Sequence, residues 1–230
     1  MADDEKVFLI TGASSGIGAA TARQAAQAGF RVVLAARSED RIRDLARELG
    51  GDERALAVRC DVTSFADQQA LFASALERFG RVDVAFANAG FGAQPGFAGE
   101  APEDQKAMVL TNVLGVVYTI RLAMAPLTPT RGHLVLTGSV AGRIQIPGSV
   151  YGATKWAVTG LAQNARLELN GTGVRVTLVE PGQVDTPFFD EAKAGRLEAD
   201  DIARAVLWAV AQPEHVDVNE LLIRPTSQER

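Results

Sequence analysis

The stretch Thr11-Gly12-Ala13-Ser14-Ser15-Gly16-Ile17-Gly18 stands between a short apolar run, residues 7–10, and small and apolar residues at helical spacing over 17–28. Glycines let the backbone turn sharply and approach a ligand closely, and the first N–H groups of a helix attract an anion. The stretch therefore predicts a strand, a turn and a helix that bind the pyrophosphate of a dinucleotide. Its spacing, G-x-x-x-G-x-G, differs from the common G-x-G-x-x-G fingerprint, and a plain connecting turn is the alternative.

Strand and helix patterns alternate over the rest of the chain. Strands are predicted over 31–36, 55–60, 82–87, 133–136, 174–179 and 221–223, and helices over 39–49, 65–79, 102–125, 150–169 and 200–211. Short apolar strands that are each followed by a helix cannot pair as hairpins, and right-handed crossovers join them into a parallel sheet. We expect an α/β fold: one domain over residues 1–230, with a doubly wound, seven-stranded parallel sheet covered by helices on both faces.

The composition excludes several classes of protein. The chain is 47% hydrophobic and 22% charged, which is typical of globular proteins and not of disordered or fibrous chains. Its 23 basic and 28 acidic residues give a net charge of −5, so we expect no nucleic-acid partner. The charge-free stretch Ala107 to Ile120 is too short and polar to span a membrane, and the acidic N-terminus is unlike a signal peptide. We therefore expect a cytoplasmic protein that does not associate with membranes.

The single cysteine and the two histidines carry no predicted chemistry. Cys60 lies in an apolar strand pattern and is interpreted as a packed core residue. His133 opens a strand and His215 follows a proline, and neither has partners at metal-ligand spacing. No metal is expected, and the sequence has no G-x-S-x-G elbow of a serine hydrolase.

A second chemical signal begins at Tyr151 and ends at Lys155, at the start of a predicted helix. Positions i and i+4 share a helix face, so the Lys155 ammonium can lie near the Tyr151 phenol and lower its pKa from about 10. Ser139, just beyond a strand, can donate a hydrogen bond to an oxygen that develops negative charge. Tyrosine and lysine at this spacing also occur on solvated helix faces, so the pair alone does not identify a site.

In combination these residues resemble the short-chain dehydrogenase/reductase family. The order and spacing agree for the residue 11–18 turn, Asn88-Ala89-Gly90, Asn112, Ser139, Tyr151, Lys155 and Pro181-Gly182, and the resemblance covers essentially the whole chain. It implies a Rossmann fold with strand order 3-2-1-4-5-6-7, a nicotinamide cofactor across the carboxyl ends of the strands, and interconversion of carbonyls and alcohols.

The resemblance also implies four catalytic roles. Tyr151 is the general acid/base, Lys155 lowers the pKa of Tyr151 and binds the nicotinamide ribose, and Ser139 positions the carbonyl oxygen. Asn112 anchors a water-linked proton relay. An amide among apolar helix residues needs a hydrogen-bond partner in any case, so a core amide that kinks the helix is the alternative for Asn112.

The cofactor contacts implied by the resemblance are Gly12, Ser14, Ser15, Gly16, Ile17, Gly18, Asp61, Val62, Asn88, Ala89, Gly90, Tyr151, Lys155, Pro181, Gly182, Val184 and Thr186. Asp61 is expected at the adenine, Asn88 at the adenine ribose while it also steadies the sheet, and Thr186 at the nicotinamide carboxamide. The alternatives are a helix N-cap for Asp61, a strand-end turn at residues 88–90 and an ordinary loop position for Thr186.

The end of the second strand predicts NADP(H) rather than NAD(H). NAD-selective relatives place an acid there to accept hydrogen bonds from the ribose hydroxyl, whereas this chain has Ala36, Arg37 and Ser38. The Arg37 guanidinium can donate two hydrogen bonds to a 2′-phosphate, and Ser38 can add another. Ser38 also fits as a helix N-cap, and Arg37 can simply be solvated.

Three mostly apolar segments, residues 91–97, 143–147 and 186–199, are expected to line the substrate pocket. Within them, Arg143 and Gln145 either orient an anionic or polar group or lie in solvent. The expected reaction is hydride transfer between nicotinamide C4 and a carbonyl or secondary alcohol, with Tyr151 exchanging the proton. A dinucleotide-binding sensor or scaffold without catalysis is the alternative, and a nucleotide-sugar epimerase or dehydratase would need a larger C-terminal region.

Two helices predict self-association. Apolar residues occur on all faces of the helix between Ala107 and Leu127. The helix over 150–169 carries small residues, such as Ala153 and Gly160, that let another helix approach it closely. By resemblance, these two helices form a four-helix bundle in a dimer, often within a tetramer.

Overall fold

The computed structural model describes residues 5–92, 96–186 and 195–229. Its α-helices are α1 Gly16–Gln27, α2 Glu39–Glu48, α3 Phe65–Phe79, α4 Pro102–Val109, α5 Gly115–Thr130, α6 Val150–Glu168 and α7 Ala199–Val210. Its strands are β1 Val7–Thr11, β2 Arg31–Ala36, β3 Ala55–Arg59, β4 Val84–Ala87, β5 His133–Thr137, β6 Arg175–Pro181, β7 Val184–Asp185, β8 Leu197–Glu198 and β9 Glu220–Ile223.

Seven of these strands form one parallel sheet in the order β3-β2-β1-β4-β5-β6-β9. This arrangement confirms the predicted α/β fold and the strand order implied by the family resemblance. The order reverses between β1 and β4, and such a reversal opens a crevice at the carboxyl ends of the strands. The remaining strands, β7 and β8, pair with each other in a small separate sheet that the sequence did not predict.

The core lies on both faces of the sheet because successive residues of a strand point to opposite sides. In β1, Val7 and Leu9 pack in one cluster with residues of α3, α5 and α6, whereas Phe8 and Ile10 pack in the other with residues of α1, α2 and α7. All four side chains are fully buried. This two-sided burial explains why the strands read as continuous apolar runs rather than as alternating patterns.

The substrate segments expected from the sequence are described only in part. Residues 93–95 of the first segment and 187–194 of the third lie outside the described residues. The end of the third segment belongs to β8 and to the start of α7. β7 and β8 therefore bring the two ends of that segment together beside the sheet.

A π-helical turn, Leu110–Leu114, joins α4 to α5, so the helical segment runs over Pro102–Thr130 and is longer than predicted. By length and a mean hydropathy of 1.6, this segment could cross a membrane, contrary to the length argument made from its charge-free part. In the structure it packs against α3, α6, β4 and β5 instead, and it buries Asn112. We interpret it as a core helix of the fold.

His133 is buried at the amino end of β5, far along the strand from the predicted site. Its Nε2 lies 2.7 Å from Thr177 Oγ1, and that hydroxyl donates its own hydrogen to the Val218 carbonyl oxygen at 2.6 Å. Nε2 must therefore donate to Thr177, which requires the neutral Nε2–H tautomer. Burial, with a further contribution from the charge of Arg175, lowers the pKa of His133 to about 3.

This buried histidine predicts a loss of stability in mild acid. The folded-state pKa of about 3 lies below the ordinary value of 6.5, so only the unfolded chain takes up the proton between these pH values. The stabilisation is complete above pH 6.5 and is lost as the pH falls, with a slope of about 1.4 kcal/mol per pH unit from this one group. In chemical denaturation, His133→Leu should reduce the slope of the unfolding free energy against pH in this range. His215→Gln is the control because His215 is exposed, and an unchanged slope in His133→Leu would contradict the assignment.

Candidate active site

The turn between β1 and α1 brings backbone segments into very close approach. Gly12 and Gly16 have positive φ angles of 68° and 52°, which favour glycine. A Cβ on Gly12 would lie 2.8 Å from the Ala89 Cα, and one on Gly18 would lie 2.3 Å from the Gly12 oxygen. Ser15 stands at the N-cap of α1, and its side chain makes no capping hydrogen bond in the described part of the chain. The glycines thus let the turn pack tightly against Ala89 and against itself, and Ser14, Ser15 and Gly16 line the cleft at the start of α1, where a ligand phosphate would approach.

A cleft of about 850 Å³ runs along the carboxyl ends of the strands. Of the site residues predicted from the sequence, all of which are described, only Gly18 and Asn112 lie outside its lining. The lining also includes Phe91, Gly92, Ile144 and Ile146 of the expected substrate segments, together with residues that were not predicted as site residues: Ala36, Cys60, Thr111, Thr137, Gly138, Val140, Ala141, Ser149, Gln183 and Gln228. The fold therefore gathers residues scattered over most of the chain into one cleft.

Ser139 and Tyr151 are hydrogen-bonded to each other in this cleft. Ser139 caps the short 3₁₀ turn Val140–Gly142 by accepting a hydrogen bond from the Ala141 N–H at 3.1 Å. Tyr151 lies in the first turn of α6, which is capped by the Ser149 hydroxyl. Burial raises the pKa of the Tyr151 phenol, while the Ser139 hydrogen bond lowers it. The net shift is upward, so the expectation of a lowered phenol pKa is wrong for this structure.

Lys155 lies one helical turn after Tyr151, as the spacing predicted. Its ammonium is 5.7 Å from the centre of the Tyr151 ring and donates a hydrogen bond to the Thr137 carbonyl oxygen at 2.8 Å. The side chain is buried, and burial lowers the pKa of Lys155 to about 8. At pH 7 the group is still largely protonated, so it places a positive charge at the base of the cleft.

Asn112 lies in the π-helical turn and is almost fully buried. Its amide nitrogen donates to the Phe91 carbonyl oxygen at 2.8 Å and to Thr154 Oγ1 at 3.1 Å, and its amide oxygen accepts from the Phe91 N–H at 3.0 Å. Thr154 in turn donates to the Tyr151 carbonyl oxygen at 2.7 Å. The expected need for partners is confirmed, and the side chain links the segment after β4 to the helix that carries Tyr151. Sequence reasoning did not single out Thr154, although it directly precedes Lys155.

Asn88 steadies the sheet, as expected. Its amide nitrogen donates to the Thr11 carbonyl oxygen at 3.0 Å, and its amide oxygen accepts from the Thr137 hydroxyl at 3.1 Å. The side chain thus connects the ends of β1, β4 and β5.

Asp61 is not the N-cap of α3, so that alternative is wrong. The cap is Ser64, which accepts from the Asp67 N–H at 3.2 Å. One Asp61 oxygen accepts hydrogen bonds from the N–H and the hydroxyl of Thr63. Asp61 itself lines the cleft, and its contact with an adenine stays a prediction.

Arg37 and Ser38 line the cleft where β2 ends, and both are exposed. Ser38 occupies the N-cap position of α2, but its hydroxyl makes no capping hydrogen bond to the described residues. Of the nearby acids, Glu39 is paired with Arg43 at 2.6 Å.

The structure agrees with neither of the two roles expected for Arg143, which were to orient a polar or anionic group of the substrate or to lie in solvent. Its guanidinium makes two hydrogen bonds to Glu180, at 2.6 and 2.9 Å, and a third contact to Glu220 at 2.6 Å. These carboxylates raise the pKa of Arg143 and hold the side chain outside the cleft lining, so it neither faces the substrate side nor lies free in solvent. Gln145 is exposed and also lies outside the lining, which its neighbours Ile144 and Ile146 supply instead.

The C-terminal tail contributes a lining residue that sequence reasoning missed. The Gln228 side-chain oxygen accepts a hydrogen bond from the Gln183 N–H at 2.8 Å, and Gln228 lines the cleft beside Gly182.

Cys60 is buried, and burial raises the pKa of its thiol to about 12. This environment confirms Cys60 as a packed core residue.

Known proteins resemble this chain both in sequence and in structure. Residues 6–197 match the family model described as short chain dehydrogenase. An uncharacterized oxidoreductase of Staphylococcus epidermidis is 36% identical over 226 residues, which cover 96% of this chain and 97% of that protein. An alcohol dehydrogenase of the archaeon Thermococcus sibiricus, solved with 5-hydroxy-NADP, has a TM-score of 0.90 and 34% identity over 99% of each chain. A 3-ketoacyl-(acyl-carrier-protein) reductase of Brucella melitensis, solved with NADH, has a TM-score of 0.86 and 32% identity over 96% of this chain and 97% of that one.

Proposed function

Because this chain belongs to the short chain dehydrogenase family of oxidoreductases, we propose that it catalyses NADP(H)-dependent interconversion of a carbonyl compound and a secondary alcohol. The observation that carries the proposal is the hydrogen-bonded pair of Ser139 and Tyr151 above the buried Lys155, in the same cleft as the glycine-rich turn. A cleft for dinucleotide binding alone would not require this set.

The residues of the cleft fit a nicotinamide dinucleotide. The tightly packed glycine turn suits a pyrophosphate, as does the start of α1, where the Ser15 side chain makes no capping hydrogen bond to the described residues. Thr186, Gly182 and Val184 line the same cleft as Ser139 and would hold the nicotinamide. Bound NADP(H) supplies or accepts a hydride at C4 of this ring.

Side chains of the cleft donate and accept the proton of the reaction. In the reductive direction, Tyr151 holds a proton on its phenolic oxygen and donates it to the carbonyl oxygen of the substrate. The upward shift in the phenol pKa favours this acid form. Ser139 donates a hydrogen bond to the same substrate oxygen as negative charge develops, and the Lys155 ammonium stabilises the phenolate that remains. In this proposal, Asn112 keeps its expected place in the proton relay. Its side chain holds Thr154, and the Thr154 hydroxyl in turn binds the Tyr151 carbonyl oxygen.

The substrate is a small carbonyl compound or alcohol that packs on the apolar part of the lining, Phe91, Ile144 and Ile146. Of the segments expected to supply this pocket in one functional domain over 1–230, namely residues 91–97, 143–147 and 186–199, the described part contributes Phe91, Gly92, Ile144, Ile146 and Thr186 to the lining. The cytoplasmic location expected from the sequence stays a prediction.

Replacing the phenol tests the proposed acid/base. Tyr151→Phe should retain NADP(H) binding, with Kd changed less than about threefold, and should lose at least about 100-fold in kcat because the transferable proton is gone. Turnover of a panel of aldehydes, ketones and alcohols is followed by nicotinamide absorbance, and binding by calorimetry. Tyr118→Phe is the matched control, because this other tyrosine packs edge-on against Phe65 outside the cleft lining. Near-parental turnover in Tyr151→Phe would overturn the assignment, and a parent that binds NADP(H) but turns over nothing would favour a sensor or scaffold.

NADP(H) is the proposed cofactor because Arg37 and Ser38 line the cleft beside the buried Ala36, with no carboxylate at that position. The Ser38 hydroxyl is not engaged as a cap within the described residues of α2, which leaves it suited to a 2′-phosphate. The Thermococcus neighbour was solved with an NADP derivative, which agrees with this choice, whereas the Brucella neighbour was solved with NADH.

Cofactor choice is measured as kcat/KM for NADP(H) and NAD(H). The parent should prefer NADP(H) by about tenfold to a hundredfold, as expected from hydrogen bonds to a charged group. Arg37→Ala should lower kcat/KM for NADP(H) by about tenfold and leave that for NAD(H) nearly unchanged. Arg41→Ala is the control, since Arg41 is exposed on α2 and lies outside the cleft lining. A parental preference for NAD(H), or equal losses in both variants, would refute the role of Arg37.

Self-association as a dimer or tetramer is also proposed. Val109, Trp156 and Leu167 are large apolar side chains on α4 and α6 that are 44%, 44% and 63% exposed in the single chain. Burying such side chains against a second copy removes apolar surface from water.

Light scattering tests the oligomeric state. The parent should show at least twice the chain mass of 24.3 kDa at micromolar concentration, and Leu167→Glu should shift it toward the monomer. Leu76→Glu introduces the same charge at an exposed leucine of α3 and should leave the mass unchanged. A monomeric parent would contradict the proposal.

A further inference from the structure

A network of charged and polar side chains lies just outside the cleft. It consists of Arg143, Glu180, Glu220 and Gln163, and we call it the Arg143 network. Arg143 makes two hydrogen bonds to Glu180 and contacts Glu220 at 2.6 Å, and the Gln163 amide donates to the other Glu220 oxygen at 2.6 Å. The network therefore joins the segment after β5, the end of β6, the start of β9 and helix α6.

The two ends of this network are the two elements that carry the reacting hydroxyls. Arg143 directly follows the 3₁₀ turn that Ser139 caps, and its N–H donates to the Val140 carbonyl oxygen at 2.9 Å. Gln163 lies on α6, the helix whose first turn carries Tyr151. The network is thus a side-chain connection between the turn of Ser139 and the helix of Tyr151.

Glu180 is the buried member of the Arg143 network. It is 1% exposed and precedes Pro181, whose carbonyl oxygen lies 3.4 Å from Ser139 Oγ. Gly138 packs directly on Glu180, since a Cβ on Gly138 would lie 3.0 Å from Glu180 Cγ. The Glu180 side chain therefore contacts both sides of Ser139, through its Cγ at Gly138 and through its carboxylate at the Arg143 guanidinium.

A buried carboxylate is destabilising unless a counter-charge with good geometry compensates it. The planar guanidinium of Arg143 meets this need with two parallel hydrogen bonds, which also fix direction. Because such a pair adds little net stability, its two fixed hydrogen bonds are the property that bears on the local geometry here. A lysine could supply the charge but not the two-pronged alignment.

We propose that the Arg143 network positions Ser139 relative to Tyr151, so that Arg143 and Glu180 act on catalysis through the Ser139–Tyr151 hydrogen bond. The inference rests on the proposed function. Arg143 and Glu180 lie outside the cleft lining and are positioning residues, not groups that touch the substrate.

The test compares Ser139→Ala, Arg143→Gln and the double variant Arg143→Gln/Glu180→Gln. The double variant removes both charges together, so no unpaired charge remains buried if the single change prevents folding. Arg143→Gln and the double variant should each lower kcat about tenfold and change the Kd for NADP(H) less than about twofold. Adding the double variant to Ser139→Ala should lower kcat no further, because residues that act through one another are not additive.

Arg23→Gln is the matched control. Arg23 and Glu48 form an exposed pair with the same two-pronged geometry, at 2.7 and 2.9 Å, between α1 and α2. Its loss should leave kcat unchanged. If Arg143→Gln behaves like Arg23→Gln, or if its effect adds fully to that of Ser139→Ala, the positioning role is overturned.

A second readout does not require a known substrate. The chain has two tyrosines, so Tyr118→Phe leaves Tyr151 as the single phenol for titration by ultraviolet difference absorbance, with circular dichroism to verify the fold. The Ser139 hydrogen bond lowers the pKa of Tyr151, so Ser139→Ala and the double variant should each raise it by about one pH unit, without adding to each other. A phenol pKa that moves in Ser139→Ala but not in the double variant overturns the network alone. If Ser139→Ala changes neither kcat nor the phenol pKa, the proposed function and the network both fail.

Discussion

The close approach of β1 and β4 at their carboxyl ends is the constraint on which the rest of the structure depends. The Thr11 hydroxyl accepts hydrogen bonds from the N–H groups of Asn88 and Ala89, at 3.0 and 3.1 Å, and donates to the Phe86 carbonyl oxygen at 3.2 Å. There is room for this contact only because Gly12 has no side chain. The contact sets the glycine-rich turn against the strand across the reversal point of the sheet, where ligands of such folds bind.

From this point a chain of hydrogen bonds leads to the proposed acid/base. The Asn88 amide oxygen accepts from the Thr137 hydroxyl, and the Thr137 carbonyl oxygen accepts from the Lys155 ammonium. Lys155 lies below the Tyr151 ring, and Tyr151 is hydrogen-bonded to Ser139. The expected cofactor turn and the expected reaction centre are therefore positioned by one continuous set of contacts across β1, β4 and β5, and neither end can shift independently of the sheet.

Lys155, Glu180 and His133 are three buried ionisable groups that the structure accommodates in different ways. Lys155 keeps its proton near neutral pH with a backbone carbonyl as its hydrogen-bond partner, and burial lowers its pKa to about 8. Glu180 is compensated by the guanidinium of Arg143. His133, at the other end of the sheet, is held neutral with Thr177 as its partner. Of these three groups, Lys155 is the charged one without a paired carboxylate among the described residues, and it lies at the cleft, where the proposed chemistry uses its charge.

The sequence by itself determined the kind and order of the main elements, because the short apolar runs that indicate buried strands and the period of about 3.6 residues that indicates helices are local properties. Nearly all of the site residues that it predicted line the cleft, because the carboxyl ends of parallel strands meet at one edge of the sheet and the family spacing marks the residues there. The tertiary structure decided the direction of Arg143, the net shift in the pKa of Tyr151 and the place of Gln228 in the cleft. Arg143 is turned by Glu180, 37 residues away, and Gln228 binds Gln183, 45 residues away. Burial and pairing of this kind arise only when distant segments pack together, and no local pattern encodes them.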